Sequence, residues 1–551
     1  MKLRTLFFEK TVLRKDLTRF APLWALYLIA GVLVLLPTMG LSNPRNAADF
    51  LEETLPWLSI VNLIYAMLVA QVLFGDLFNA RMCNALHALP MRRETWFFTH
   101  VLAGLVFSVG PHLVASVLFT ASVGVNLFVV PLWLLGMLLQ YLFFFGLAVL
   151  CMLCSGNRFA ALALYSIVNF LSLIVWWFLN TVYIPQLYGV KLSEDIFLLL
   201  CPVVEMCRRY DGYILSVHGP QNLIFQGLGE GFGYIAVLAA IGVAFMALAL
   251  VLYRRRRLET AGDFLAVRAL EPVFSVVFTL CVAAVFAMFG SLVMESYITF
   301  LIIGLIVGFF IGQMLLRRTV KVFRAKAWGR LGIIAGVLLA SIFIVALDPF
   351  ASTRWVPKPE DVKVAYIDTG STIGYKPPMD QEDTARIIAL HEMILETGED
   401  YSVSRSQRVT IRYELKNGRV VDRSYQVPLT AQLREAMREV FSTPRYVLAV
   451  TDWDAYVASV YRIYVEGEVV PVTQQKALLD AIKKDFDEGS LSNIWGLHED
   501  PKYSFGIEIA VRDGNGSLSE KYINVYSDAR HTVQWLAEHE LIPEHIDEKY
   551  Y

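Results

Sequence analysis

The sequence predicts an α-helical polytopic membrane protein of about nine spans followed by a C-terminal α+β extracytoplasmic domain. Three observations predict it. The 551 residues are 56% hydrophobic and 18% charged, against about 25% charged in ordinary soluble domains, and mean hydropathy is +0.51. The long apolar runs all lie within the first 348 residues. Charge divides at the same point: residues 1–348 carry 25 Lys and Arg against 17 Asp and Glu, residues 349–551 carry 23 against 33, and a net +8 is followed by a net −10. A basic apolar part and an acidic polar tail are expected to face different solvents.

Residues 1–20 read as a cytoplasmic amphipathic helix in the headgroup plane. Leu3, Leu6, Phe7, Val12, Leu13, Leu17 and Phe20 fall near one face, with Lys and Arg on the other. The same charges also suit a plain basic flank of the first span. Apolar residues alternate with charges here, which does not read as a cleavable signal.

A span needs about 20 predominantly apolar residues. The candidates are Leu23–Met39, Leu58–Phe74, Phe97–Val117, Phe128–Met152, Phe159–Val182, Phe232–Tyr253, Val273–Leu292, Ile298–Leu316 and Leu331–Leu347. Residues 21–256 then hold six spans, and 257–348 hold three more. Between the fifth and sixth, Ile196–Val204 is apolar but too short to cross, and is expected to dip in and return or to pack on the outer face. Cys201 and Cys207 lie there; two thiols on one short helix are favoured over a disulfide.

Orientation follows from the positive-inside rule. With the N-terminus in the cytoplasm, 21 Lys and Arg of residues 1–348 fall on that side, and only Arg45, Lys191, Arg208 and Arg209 on the other. An odd number of crossings puts the acidic domain, 349–551, outside a plasma membrane. Pro349, Pro357 and Pro359 mark the linker to it. A weak internal duplication follows, two β-α-β-β-α units. The first runs from Val362–Ile367 through a helix near Asp383–Glu396, a hairpin turning at Lys416-Asn417-Gly418 and a helix at Thr430–Phe441. The second runs from Ser459–Val465 through a helix at Gln474–Phe486, a hairpin turning at Asp513-Gly514-Asn515-Gly516 and a helix at Asp528–His539.

Catalytic and cofactor patterns are missing. No G-x-x-x-x-G-K-[ST] run can cradle ATP phosphates, no G-x-G-x-x-G follows a strand, and His391-Glu392 lacks the second His of H-E-x-x-H. His531, His539 and His545 match no zinc spacing, and Cys151-x-x-Cys154 is a single CxxC at a span end. No metal, cofactor or nucleic acid is expected. The spans are almost free of charge: Asp76, Glu271 and Glu295 sit at span ends, and His112 beside Pro111 is expected to be a helix–helix hydrogen-bond partner rather than a proton relay. If the chain transports, its energy must come from a partner.

Attention then falls on the loop before the third span. After Asp76 come a short polar helix, the break Leu89-Pro90, Arg92-Arg93 and a new apolar run. Snorkelling arginines and an interfacial Trp96 would explain the charges but not the Leu-Pro break. A basic N-terminal helix, Arg81 in a short loop helix and Leu89-Pro90-Met91-Arg92-Arg93-Glu94-Thr95 resemble the permease subunits of type-two ABC exporters. The likeness covers roughly residues 1–256, with six spans and a re-entrant segment after the fifth. Gly262–Arg268 is also similar to a cytoplasmic segment of bacterial members with extra spans. Three extra spans and an outer domain depart from the usual six-span member.

The resemblance implies a non-enzymatic transmembrane subunit of an exporter, powered by ATP and Mg bound to separate cytoplasmic ATPase subunits. It implies a second permease subunit, identical or paralogous, and contact with membrane lipid. It assigns the ATPase-coupling loop to Asn79, Arg81, Asn84, Leu86, His87, Leu89, Pro90, Arg92, Arg93 and Glu94. The rival expectation is a membrane sensor or scaffold whose outer domain binds a ligand or peptide without transport.

Overall fold

Among the described residues, eight helices are long and apolar enough to cross a membrane: Thr54–Leu73, Arg93–Leu118, Leu132–Cys154, Arg158–Gln186, Phe232–Arg255, Arg268–Val293, Tyr297–Arg317 and Ala325–Ala346. The computed structural model describes residues 8–35, 44–88, 91–123, 129–208, 214–217, 224–228, 230–256, 262–293, 297–349, 351–369, 378–379, 381–398, 406–441, 457, 460–488, 490, 504–512, 518–527 and 529–542. It divides into two units, Met1–Val182 with Glu194–Ser341, and Tyr183–Ser193 with Ile342–Tyr551.

The first unit contains α1 (Lys10–Arg19), α2 (Ala21–Leu35), α3 (Pro44–Leu73), α4 (Ala80–His87), α5 (Arg93–Val123), α6 (Val129–Cys154), α7 (Arg158–Phe178), α8 (Asp195–Leu199), α9 (Pro202–Arg208), the hairpin β1 (Ile214–Val217) and β2 (Ile224–Leu228), α10 (Glu230–Arg255), α11 (Glu271–Val293), α12 (Tyr297–Arg317) and α13 (Ala325–Ala346). The remaining expected span, Leu23–Met39, the first in chain order, is helical in α2 through Leu35, and a 61° bend separates it from α1. The described part of the expected N-terminal helix is helical over Lys10–Arg19. Leu13, Leu17 and Phe20 pack on the bundle core, and the Glu9 N–H donates to Thr99 Oγ1 at 2.9 Å. Leu3, Leu6 and Phe7 lie outside the described residues.

Helix α6 occupies the centre. Its inward residues Met137, Tyr141, Phe144, Phe145, Ala148 and Met152 are buried. A Cβ at Gly146 would collide with the Gly242 carbonyl of α10, and one at Gly242 with the backbone of Leu142 and Phe143. The two helices therefore meet backbone to backbone, which only small residues permit.

The expected re-entrant run becomes α8 and α9. Cys201 Sγ donates to the Asn169 carbonyl and Cys207 Sγ to the Pro56 carbonyl, each at 3.4 Å. Both are free thiols, hydrogen-bonded to different helices. Buried Glu205 accepts from Arg208 Nε at 3.0 Å, and Arg208 Nη1 also reaches Asp195 at 3.0 Å.

The second unit has two four-stranded antiparallel sheets sharing one strand order, β4-β3-β5-β6 and β8-β7-β9-β10. The first half is β3 (Val362–Asp368), β4 (Pro378–Met379), α14 (Gln381–Thr397), β5 (Ser406–Leu415), β6 (Val420–Pro428) and α15 (Ala431–Phe441); the second is β7 (Val460–Val465), β8 (Glu468–Val469), α16 (Val472–Asp487), β9 (Ser504–Arg512), β10 (Leu518–Tyr526) and α17 (Arg530–Glu538). Each half is the expected β-α-β-β-α unit with one two-residue edge strand added. The turn at Asn417-Gly418 places Gly418 at φ 82°, as a tight hairpin requires; the second hairpin's turn lies outside the described residues. One apolar core runs through both halves, from Ile367, Ile387 and Val409 to Ile463, Ile482 and Leu536.

Tyr183–Ser193, the chain leaving the fifth of the eight-plus-one spans, folds with this unit. Val190 bridges Arg423 in antiparallel fashion, extending the free edge at β6, and Ser424 N–H donates to the Gly189 carbonyl at 3.0 Å. Gly189 has φ 70°, and a Cβ there would sit in the Tyr425 ring. Behind that ring, His391 of α14 is fully buried, with Nε2 at 2.6 Å from the Tyr425 hydroxyl and Nδ1 at 3.2 Å from the Tyr413 hydroxyl. Burial, reinforced by the nearby Arg423 guanidinium, pushes the His391 imidazole down to about 4.

Candidate functional site

The basic end of the helical bundle is held by side chains from the loop singled out in the sequence. A 3-10 turn, Gly75–Phe78, leaves α3, and Asn79 begins α4 by accepting from the Arg81 N–H at 3.0 Å and, more weakly, from the Met82 N–H at 3.5 Å. An Asn at that position satisfies amides that the first helical turn leaves without partners. Buried Cys83 fixes one face of α4 to the bundle core. Arg81, Met82, Asn84 and Ala85 are exposed. The loop therefore presents a short, fixed helix whose outer face is open among the described residues.

The arginines after the break divide the work differently from the expectation. Arg92 is exposed. Arg93 is turned inward: its Nη1 donates to the carbonyls of Tyr253, Arg254 and Arg256 at 3.4, 3.3 and 3.1 Å. These carbonyls lie at and just past the end of α10, where that of Tyr253 also accepts from the Arg256 N–H at 3.2 Å, and a cation there complements the helix dipole. Glu94 pairs with Arg254 Nε at 3.0 Å. Arg93 and Glu94 thus tie the start of α5 to the end of α10 and are not part of an outward face. Trp96 does not take the interfacial place that the snorkelling reading would give it. It is buried against Phe74, which follows α3, His100 of α5 and Tyr253 of α10, whose aromatic rings enclose it. The side chains of Leu86 and His87, and the residues Leu89 and Pro90, lie outside the described residues.

Sequence reasoning missed Arg256. Its Nη1 donates to the carbonyls of Met152 and Leu153 at 3.3 and 3.2 Å, closing the end of α6, and its guanidinium lies over the Phe78 ring. Within the run Arg254–Arg257 nothing in the sequence marks one arginine as the inward one. The segment Gly262–Arg268 returns to the same end: Gly262 N–H donates to the Gly156 carbonyl, Gly156 N–H to Phe264, and Ala266 N–H to Cys154.

Deeper in the bundle, four helices share a buried polar network. Tyr27 of α2 donates to Asn62 Oδ1 of α3 at 2.6 Å, Asn62 Nδ2 to Gln140 Oε1 of α6 at 3.3 Å, and Gln140 Nε2 to the Leu55 carbonyl at 3.0 Å. His112 of α5 joins it, with Nδ1 at 2.7 Å from its own helix's Ser108 carbonyl and Nε2 at 3.4 Å from the Tyr27 hydroxyl. Trp133 Nε1 donates to Thr54 Oγ1 at 3.1 Å. A cavity of about 40 Å³ lies between Tyr27, Gly31, Leu58, Pro111, His112 and Trp133. That is room for a water molecule, not for a cargo. His112 therefore stands where a helix–helix contact was expected. Asn62 and Gln140, not singled out in the sequence, were detectable as lone amides within apolar runs.

In the second unit, Asp485, Glu488 and His531 bring potential metal-ligand atoms within 4.8 Å of one another. Asp485 is already committed: its carboxylate accepts from Ser490 Oγ, His531 N–H, Thr532 N–H and Thr532 Oγ1. It caps α17, and His531 pairs with Glu488 at 2.9 Å. His539 stacks on Trp535, and His545 lies outside the described residues.

Compared with protein-family models, with curated proteins and with solved structures, the chain gives no match.

Proposed function

We propose that the chain is the transmembrane subunit of an ATP-driven exporter, and that a separate cytoplasmic ATPase docks on the outer face of α4. The observation that carries this reading is the mounting of α4. It is pinned by Asn79 and Cys83 and leaves Arg81, Met82, Asn84 and Ala85 open. Beside it, Arg93 and Glu94 couple α5 to α10. A push on a fixed short helix between two spans is passed on as a shift of those spans, the kind of movement that packed helices make between two arrangements. The chain itself supplies no nucleotide site, and a second permease subunit completes the pathway.

Charge supports the orientation, with the α4 end on the cytoplasmic side and the C-terminal unit outside. Span counting supports placing the fifth span's exit and the C-terminal unit on one common side. Tyr183–Ser193 folds with Ile342–Tyr551. Four candidate spans separate those two stretches, from Phe232–Arg255 to Ala325–Ala346, and an even number returns the chain to one side.

One observation favours the sensor reading: the clamp of Gly189 and Val190 on β6 joins the end of a membrane helix to a domain that could bind a ligand. Co-expression with the products of neighbouring reading frames separates the two. A Walker-motif ATPase retained through purification of the full chain supports export. Retention of a kinase or regulator, with no ATPase, overturns it.

A further inference from the structure

Helices α11, α12 and α13 enclose a second cavity, about 490 Å³ in volume. It falls within the range of small-molecule sites, about 300–1,000 Å³. It opens because α13 joins α12 only near its start, where Phe309, Phe310, Val322, Ala327 and Leu331 form a small core. The walls are apolar, with Phe309 buried and Ile333 68% exposed. The lining carries three charges at helix ends: Glu271 opens α11, Arg317 closes α12, and Arg330 lies in the second turn of α13. All three are exposed, and none pairs with another described side chain. Gln313, 6% exposed, also lines the cavity and donates to Ser275 Oγ at 3.0 Å.

The geometry points to a binding site for an anionic glycerophospholipid of the leaflet at the Arg317 end. The two guanidiniums offer charge-assisted bonds to the phosphate, Glu271 accepts from headgroup hydroxyls, and the acyl chains lie along the apolar wall of α13. A soluble anion would find the charges but leave this wall without a partner. A zwitterionic lipid would meet a net positive mouth that does not match it. Basic pockets between membrane helices favour such headgroups, and each arginine near the surface contributes a comparable share. The inference rests on the spans, not on the coupling to an ATPase.

Native mass spectrometry of the full-length chain tests it, with phosphatidylglycerol titrated against phosphatidylcholine. The wild type retains one phosphatidylglycerol through activation that strips phosphatidylcholine. Arg317→Gln with Arg330→Gln weakens that binding by about thirtyfold. Ile333→Trp keeps both charges, fills the cavity and also excludes the lipid, which separates the site from any general loss of surface charge; size-exclusion profiles matching wild type show that both variants are folded. Equal retention of the two lipids, or unchanged retention in both variants, overturns the proposal. So does displacement of the bound lipid by inorganic phosphate at comparable concentration, which identifies a simple anion site.

Discussion

Helices α6 and α13 are equally apolar to the eye, but they do opposite things. The central window of α6 is 78% buried and that of α13 is 11% buried. Around α6 the chain spends its glycines, its buried amides and an inward arginine. Along α13 a Cβ at Gly329, Gly332 or Gly336 would meet nothing within 4 Å. Hydropathy identifies what can enter a bilayer; it does not distinguish a helix that organises a bundle from one that faces lipid.

The largest effect that sharpens this contrast comes from glycine. Gly146→Val drives a side chain into the backbone of α10 and is expected to cost about 3 kcal/mol, read as a lowered melting temperature in detergent. Gly336→Val on α13 is the matched control, expected to stay within about 0.5 kcal/mol of wild type. Equal effects at the two positions would break the comparison.

A contrast of the same kind between buried and open surroundings exists in the second unit, at His391. Its imidazole is held neutral, so its folded value lies below the unfolded one, near 6.5. Stability is complete above that unfolded value and is lost as pH falls toward about 4. Between pH 7 and pH 5 the loss is about 2 kcal/mol, measurable as reduced hydrogen-exchange protection of α14, β5 and β6 in the full chain. In His391→Gln that additional pH dependence is absent.

A smaller effect is expected from Asn62→Ala, which removes the link between Tyr27 and Gln140. Interhelical hydrogen bonds in membranes contribute about 0.6 kcal/mol on average and up to about 1.7, and thermal melting should register a loss of about 1 kcal/mol. No change would show that the network is ornamental to bundle stability.

The spans were legible because an apolar run of sufficient length has few other destinations. The duplicated C-terminal unit was legible through Asn417-Gly418 and the alternating strands, while β4 and β8, two residues each, leave no periodicity to detect. The candidate site was legible as a place but not as a division of labour. Arg92 and Arg93 are adjacent and chemically identical; only the position of the α10 carbonyls turns one inward. Trp96 sits at a span start like many interfacial tryptophans, and its burial depends on Phe74 and Tyr253, both distant in sequence. Arg256 was hidden among three neighbours of the same type.

The most direct test of the account is at the open face of α4. Arg81→Glu with Ala85→Glu reverses and crowds that face without touching Cys83, Asn79, Arg93 or Glu94, and ATPase subunits co-purified with the full chain are then quantified against wild type and Gly336→Val. The account predicts at least about a tenfold loss of bound ATPase, the equivalent of about 1.4 kcal/mol, at an unchanged membrane level of the chain, with Gly336→Val unaffected. Full retention of the ATPase by the α4 variant would contradict it.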